Sequence, residues 1–512
     1  DITALRNAGV YAFAGCTSLE KITNGEFTNF SVGMFKDTGL KELTFNGDRI
    51  PDNCFENCKN LESLTITNDI VYVGVSAFRN CENLKSVTFN KGSEFIYESA
   101  FDNCKNLKDV VLPNSSVDIE PRAFNNCTAL ENVTFNEHTY ITNEIRSIFK
   151  GCAKLATFSV NANNEYYKSN NNLLLSKDGK TLILAANNYD YNVYRIPSTI
   201  NKINDGAFSS IESLTEIIIP RTVKTIGKYA FEDCSNLIKV TLPIIKVEIN
   251  DGAFRGCKNL SVVENINKVT NFAPYVFAGT CLTNLELTNA TIHDYAFAYN
   301  KALTNVVIKS GTINNYAFRD CTSLENVDLN VKTIGNYAFK NCSKLVNVNT
   351  HELENLSEGL FEGCSSLQGF NSDYVLIVGE YAFRDCASLA SINLTNVISI
   401  GNKAFASSNN KTNNKLTEVN FTDSLKSIGE YAFYQNNKLQ KVTLGKNITN
   451  IGNYAFSECR ELIEFNTTSE INLLGECVFA EDIKLVSCLI NGVTTIGNAT
   501  FLNCESLVNI NL

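Results

Sequence analysis

The chain has 512 residues, 44% of them hydrophobic and 19% charged, a balance that suits a folded chain rather than a disordered one. A formal net charge of -10 speaks against the basic face that a nucleic-acid partner or an anionic membrane surface would need. No run of about 20 apolar residues is present to cross a membrane as a helix, and no charged-then-apolar leader opens the chain.

Taken in order, the sequence is one motif repeated. Phenylalanines with the same surroundings stand at Phe13, Phe35, Phe55, Phe78, Phe101, Phe124 and Phe149, and the series resumes at Phe208 and runs to Phe501. Most intervals lie between 20 and 25 residues, the period of a leucine-rich solenoid and too short for paired-helix repeats. The first repeat is entered midway, since Ile2 to Phe13 reads as a second half, and Leu512 follows a strand. Both ends therefore read as cut from a longer array.

Within a repeat the order is Ala-Phe-x-x-Cys-x-x-Leu-x-x-Val-x-Leu, then a second half ending Ile-Gly-x-Tyr. In Asn132-Val133-Thr134-Phe135 polar and apolar residues alternate, the signature of a half-buried strand. One short strand per repeat is expected, stacked in parallel on the next, with the Ala-Phe segment opposite it as a helical or 3-10 turn. The fold class is thus a mixed α/β repeat solenoid, 1–512 forming one continuous array of about 21–22 repeats.

Two interruptions break the rhythm. Residues 161–194 carry an insertion in which the apolar runs Leu173–Leu175 and Leu182–Leu184 flank Asp178-Gly179, predicting a β-hairpin. Val193-Tyr194-Arg195-Ile196-Pro197 then reads as the strand of a further repeat. The second interruption, 407–415, is rich in Asn and Ser and reads as a loop.

The stretch Ile334-Gly335-Asn336-Tyr337-Ala338-Phe339-Lys340-Asn341-Cys342-Ser343-Lys344-Leu345-Val346-Asn347-Val348 shows the motif in full. It closely resembles the BspA-like, or Treponema pallidum type, leucine-rich repeat, and the resemblance runs through essentially the whole chain. It implies an arc with a parallel sheet on its concave face. It further implies a non-enzymatic, surface or secreted, adhesin-like protein that presents its repeats to host proteins, matrix or cells. The alternative is an intracellular scaffold for protein–protein interaction. The family has no catalytic residues to carry over.

The cysteines are the first chemical candidates. Cys321, Cys342, Cys364 and Cys386 stand three residues after Phe318, Phe339, Phe361 and Phe383, and ten other repeats keep the spacing. A metal or disulfide framework is the sharp reading. However, no Cys-x-x-Cys pair exists, and other repeats place Thr38, Ile211, Thr280, Asn300, Asn436 or Asp482 there. A structural ladder of small buried side chains accommodates most of these. The histidines, His138, His293 and His351, lie in separate repeats, and no phosphate loop or nucleophile elbow appears. No enzyme, metal or cofactor is expected.

Two surfaces remain. Tyr275, Tyr295, Tyr316 and Tyr337 hold one repeat position in four successive repeats, either a stripe for a sugar or peptide or a cover for the Ala-Phe turn. On the concave face, Asn326, Asp328, Asn330, Asn347, Asn349, His351, Asn371 and Asp373 alternate with buried positions. They read either as a hydrogen-bonding face for a protein or glycan ligand or as the solvated side of a sheet.

Overall fold

Alternation in Asn326-Val327-Asp328-Leu329 buries Val327 and Leu329 and turns the two polar side chains outward. The strand is only four residues long because the chain must turn to start the next layer. In the computed structural model the described residues are 8–22, 29–45, 47–66, 70–89, 93–142, 145–170, 172–188, 193–408, 415–471 and 473–512. Residues 409–414 of the expected loop, and 171 and 189–192 of the expected insertion, lie outside them. The chain folds as two compact units, Asp1–Glu264 and Asn265–Leu512.

Most coils contribute two strands, not the single one expected from sequence. The longer strand holds three or four residues in most coils, and the shorter, mostly two, ends on an apolar residue, usually Ile, as in Thr225–Ile226 and Asn450–Ile451. In the first unit, Ser86–Thr88, Asp109–Val111, Asn132–Phe135 and Thr157–Val160 form one parallel ladder of long strands. A second begins at Val193–Arg195, which pairs in parallel with Glu216–Ile218. Between them the insertion folds as a three-stranded antiparallel meander of Tyr167–Asn170, Leu173–Ser176 and Thr181–Ala185. Its last strand rejoins the short-strand ladder by pairing in parallel with Lys202–Ile203.

The second unit repeats the scheme. Its short strands form a three-stranded sheet of Asn271–Phe272, Ala290–Ile292 and Gly311–Ile313 and then a seven-stranded one from Asn355–Leu356 to Thr495–Ile496. Its long strands fall into three groups, of which Asn284–Leu287, Asn305–Ile308, Asn326–Leu329 and Asn347–Thr350 form the first.

The expected helical turns are absent. Among the described residues only Ile145–Ser147 and Ile266–Lys268 are helical, each a three-residue 3-10 segment. The cause is local. Within the turn around Phe339, Tyr337 and Asn341 both sit in the left-handed region, at φ 57° and 61°, which no right-handed helix accommodates. That conformation lets alternate N–H groups point along the stack. Tyr337 donates to Glu358 O at 2.7 Å, Phe339 to Leu360 O at 3.1 Å and Asn341 to Glu362 O at 2.7 Å. The architecture is therefore an all-β parallel solenoid of stacked coils, not a mixed α/β one.

The core between the two ladders is a column of rings. Phe318 and Phe339 stack with centroids 5.3 Å apart and planes 2° apart, and Phe101 and Phe124 at 5.0 Å and 2°. Coils this close leave no room at the Ile-Gly corner. A Cβ on Gly335 would stand 2.4 Å from the Asn314 and Asn315 backbone.

Because each coil touches only its neighbours, damage should stay local. Phe339→Ala is expected to cost about 3–5 kcal/mol, with hydrogen-exchange protection falling first in Asn326–Leu329 and Asn347–Thr350. A loss spread evenly over all coils of the unit would contradict this packing.

Candidate functional site

The four-stranded ladder of the second unit brings most of the sequence candidates onto one surface. Its register aligns Asn284, Asn305, Asn326 and Asn347 in one file and Glu286, Val307, Asp328 and Asn349 in the next but one. The last two amides of the first file are tied, Asn347 Nδ2 donating to Asn326 Oδ1 at 2.7 Å. In the second file Asp328 Oδ1 accepts from Asn349 Nδ2 at 3.1 Å and lies 2.8 Å from His351 Nε2. Asn330 follows directly on its strand, its N–H on Ile308 O at 2.8 Å.

Asn371 and Asp373 belong elsewhere. Asn371 lies in Gly369–Ser372, which pairs with Ser391–Leu394 in a separate two-stranded sheet, and Asp373 Oδ1 accepts from Thr395 Oγ1 at 2.7 Å. The four-stranded ladder ends at Thr350, whose buried hydroxyl has no partner. The eight residues are thus four on one ladder with Asn330 and His351 directly after its strands, and two on or beside another.

One part of the surface escaped the sequence reading. A cavity of about 620 Å³ is lined by Asn265, Ile266, Asn267, Asn284, Leu285, Glu286 and Asn305. The 3-10 turn Ile266–Lys268 forms its wall, and Asn265 enters that turn at φ 65°. Glu286 beside it is ion-paired with Lys309 at 2.5 Å. The available signal was Asn265-Ile266-Asn267-Lys268, where the alternation of the preceding strand lapses.

The tyrosines form a continuous stack. Centroids of Tyr275 and Tyr295 lie 4.8 Å apart, of Tyr295 and Tyr316 4.7 Å, and of Tyr316 and Tyr337 5.3 Å, with planes within 10°. All four residues have positive φ. Inner ring faces are turned to one another, so the stripe offers solvent mainly edges. Lys340 Nζ lies 5.0 Å from the Tyr337 centroid, within cation–π range. The Tyr337 hydroxyl donates to Glu358, and burial together with that carboxylate holds its pKa well above the usual phenol value. The stack stops there because Gly359 follows. A Cβ on Gly359 would meet the Tyr337 ring at 2.1 Å.

The cysteines carry a hydrogen-bonding role that spacing alone did not reveal. Cys342 Sγ donates to Phe318 O at 3.3 Å, Cys364 to Phe339 O at 3.2 Å and Cys386 to Phe361 O at 3.2 Å, while Cys321 reaches Phe297 O at 3.3 Å. Each repeat carbonyl also accepts its own coil's N–H, as Phe339 O does from Cys342 at 3.2 Å. Burial pushes the thiols of Cys342, Cys364 and Cys386 up, so they stay protonated donors. Asparagine keeps the bond to the preceding coil, as Asn300 does to Phe277 O at 2.8 Å, while threonine turns back to its own coil. Thr280 Oγ1 bonds Phe277 O at 3.0 Å, and Asn436 Nδ2 bonds both Phe405 O and Phe433 O at 2.9 and 2.8 Å. Among the described residues no group of three or more His, Cys, Asp or Glu is placed to hold a metal ion.

A family model described as BspA type leucine rich repeat region (6 copies) matches residues 2–49, 48–172, 186–304, 290–412 and 411–512. No curated protein matches the chain. Among solved structures, a leucine-rich repeat protein from Bacteroides ovatus is 22% identical, over 88% of this chain and 94% of that one, with a TM-score of 0.43. A leucine rich cell surface protein from Faecalibacterium prausnitzii is also 22% identical, over 63% and 82%, with a TM-score of 0.39. The pneumococcal vaccine antigen PcpA is 18% identical, over 62% and 72%, with a TM-score of 0.43.

Asp482 tests the donor role. It is fully buried at the cysteine position, Oδ1 accepting from Cys459 N–H at 2.8 Å while Oδ2 has no partner. Burial raises its pKa well above the carboxylate range. From the unfolded carboxyl's pKa, about 3.9, up to that raised value, only the unfolded chain ionises, so stability falls as pH rises. Asp482→Asn removes that loss and restores an amide donor of the Asn436 kind. It is expected to raise stability by about 1–3 kcal/mol at neutral pH, with the gain shrinking near pH 4, as read by urea unfolding. A variant no more stable at neutral pH would refute the assignment.

Proposed function

The chain belongs to the BspA-type leucine-rich-repeat family, and from that premise we propose that it is a surface or secreted, adhesin-like binding protein. In this reading it engages a protein ligand through the long-strand ladder of its second unit. The observation that carries the proposal is the file Asn284, Asn305, Asn326, Asn347, four amides in register on successive coils. Each amide offers a donor and an acceptor, the same pair a peptide group presents, at the strand spacing of about 4.8 Å. The Asp328–Asn349–His351 cluster beside the file adds a carboxylate and an imidazole, and the adjoining cavity gives a ligand side chain somewhere to enter. Leucine-rich-repeat proteins bind proteins through such extended faces.

The surface or secreted location rests on the family resemblance. Intact cells should stain with antibody to the array without permeabilisation. Staining only after permeabilisation would favour the intracellular scaffold.

For the ligand, the array is expected to bind at least one component of a panel of extracellular-matrix proteins, measured by surface plasmon resonance. Asn326→Lys, Asp328→Lys and Asn347→Lys together should weaken that binding by about tenfold or more. Lys344→Glu, an exposed turn residue of the same coil, should not. Binding that survives the triple change would place the ligand elsewhere.

A further inference from the structure

The turn face of the first unit has a gap in its hydrogen bonding. In ordinary coils, the N–H two residues after the repeat phenylalanine donates to the carbonyl one residue after the next. Asn80 reaches Asp102 at 2.9 Å, Asn103 reaches Asn125 at 2.8 Å, Asn126 reaches Lys150 at 2.8 Å, and Ser210 reaches Glu232 at 2.7 Å. Gly151, the next in this series after Asn126, has an N–H that meets no acceptor among the described residues.

The insertion is the cause. In the layer between the Phe149 and Phe208 coils, Ala185 stands where a phenylalanine would, its N–H on Ala207 O at 2.9 Å. Asn187, two residues on, does not take the left-handed conformation. Its side chain instead donates inward to Cys152 O at 2.8 Å, and its carbonyl accepts from Ser213 Oγ at 2.6 Å. The bulging turn of a regular coil is not formed by these residues.

A cavity of about 650 Å³ opens at this point, with Arg122, Lys150 and Gly151 on one side and Ser210 and Lys258 on the other. The three cations make no ion pair among the described residues. At the repeat position of Lys150, by contrast, Lys36 is paired with Glu56 at 2.8 Å and Arg79 with Asp102 at 3.7 Å. The Ser210 hydroxyl is buried and has no hydrogen-bond partner. Glu212 and Asp233 also line the cavity, setting two carboxylates against three cations.

We propose that this notch binds a tetrahedral oxyanion, a phosphate or sulfate, whether free or carried on a larger ligand. Open donors stand on both walls: the Gly151 N–H, Lys150 and Arg122 on one, the Ser210 hydroxyl and Lys258 on the other. A tetrahedral group can present oxygens to both walls at once, whereas a planar carboxylate presents its pair to one. The site lies on the turn face of the first unit, so it stands or falls separately from the strand-face reading.

Calorimetric titration of the whole chain with inorganic phosphate and with sulfate, at low ionic strength, should show saturable binding. Arg122→Gln with Lys150→Gln should weaken it about tenfold or more, and Ser210→Ala about fivefold. Lys105→Gln, removing a cation already paired with Glu82, is the control and should change little. Absence of saturable binding, or binding indifferent to the Arg122/Lys150 change, would overturn the proposal. So would acetate binding as tightly as phosphate. Arg122 and Lys150 are exposed, so their variants should fold and decide the matter even if Ser210→Ala does not.

Discussion

Coil cohesion depends on what the repeat phenylalanine does at both its ends. Its ring lies flat on the ring of the next coil, as between Phe318 and Phe339, and the column so formed is dry. Its carbonyl sits in the same dry space, where an acceptor with unused capacity costs free energy. One N–H of its own coil reaches it, and the thiol of the following coil supplies the second donor. Cysteine fits because it is small, tolerates burial and carries a weak donor. Asparagine replaces it where its amide reaches the same oxygen, whereas threonine bonds its own coil's phenylalanine carbonyl instead.

The same packing explains why the surface is free to vary. Stability comes from Phe, Cys, Leu and the Ile-Gly corner, all turned inward or packed between coils. Outward positions on the long strands carry little of that load, so amides, acids and a histidine can be set there in register. Where a coil departs from the rule, surface features follow. The 3-10 turn at Ile266–Lys268 walls one cavity, and the layer holding Ala185 leaves the other.

Much of this was legible beforehand. Period and repeat phenylalanines mark each coil, and alternation in Asn326–Leu329 separates inward from outward side chains, because both are properties of neighbouring residues. The second strand per coil was not legible, since two residues such as Thr225-Ile226 are too few to show a period. Left-handed turns were missed for a different reason. Tyrosine and asparagine in Tyr337 to Asn341 carry no local demand for positive φ, which is imposed by acceptors on Glu358 and Glu362 about a turn of the solenoid away.

By itself, then, the amino-acid order determined that the chain stacks, at what spacing, and which side chains face the core. Hydrophobic periodicity is enough for that. Only the tertiary structure decided that the turns are not helical, that Cys342 is a donor to Phe318, and that Asn326 and Asn347 share a ladder which Asn371 does not. Those outcomes depend on hydrogen bonds between residues some 20 or more positions apart, and the register of such bonds is settled when coils pack, not when each coil forms.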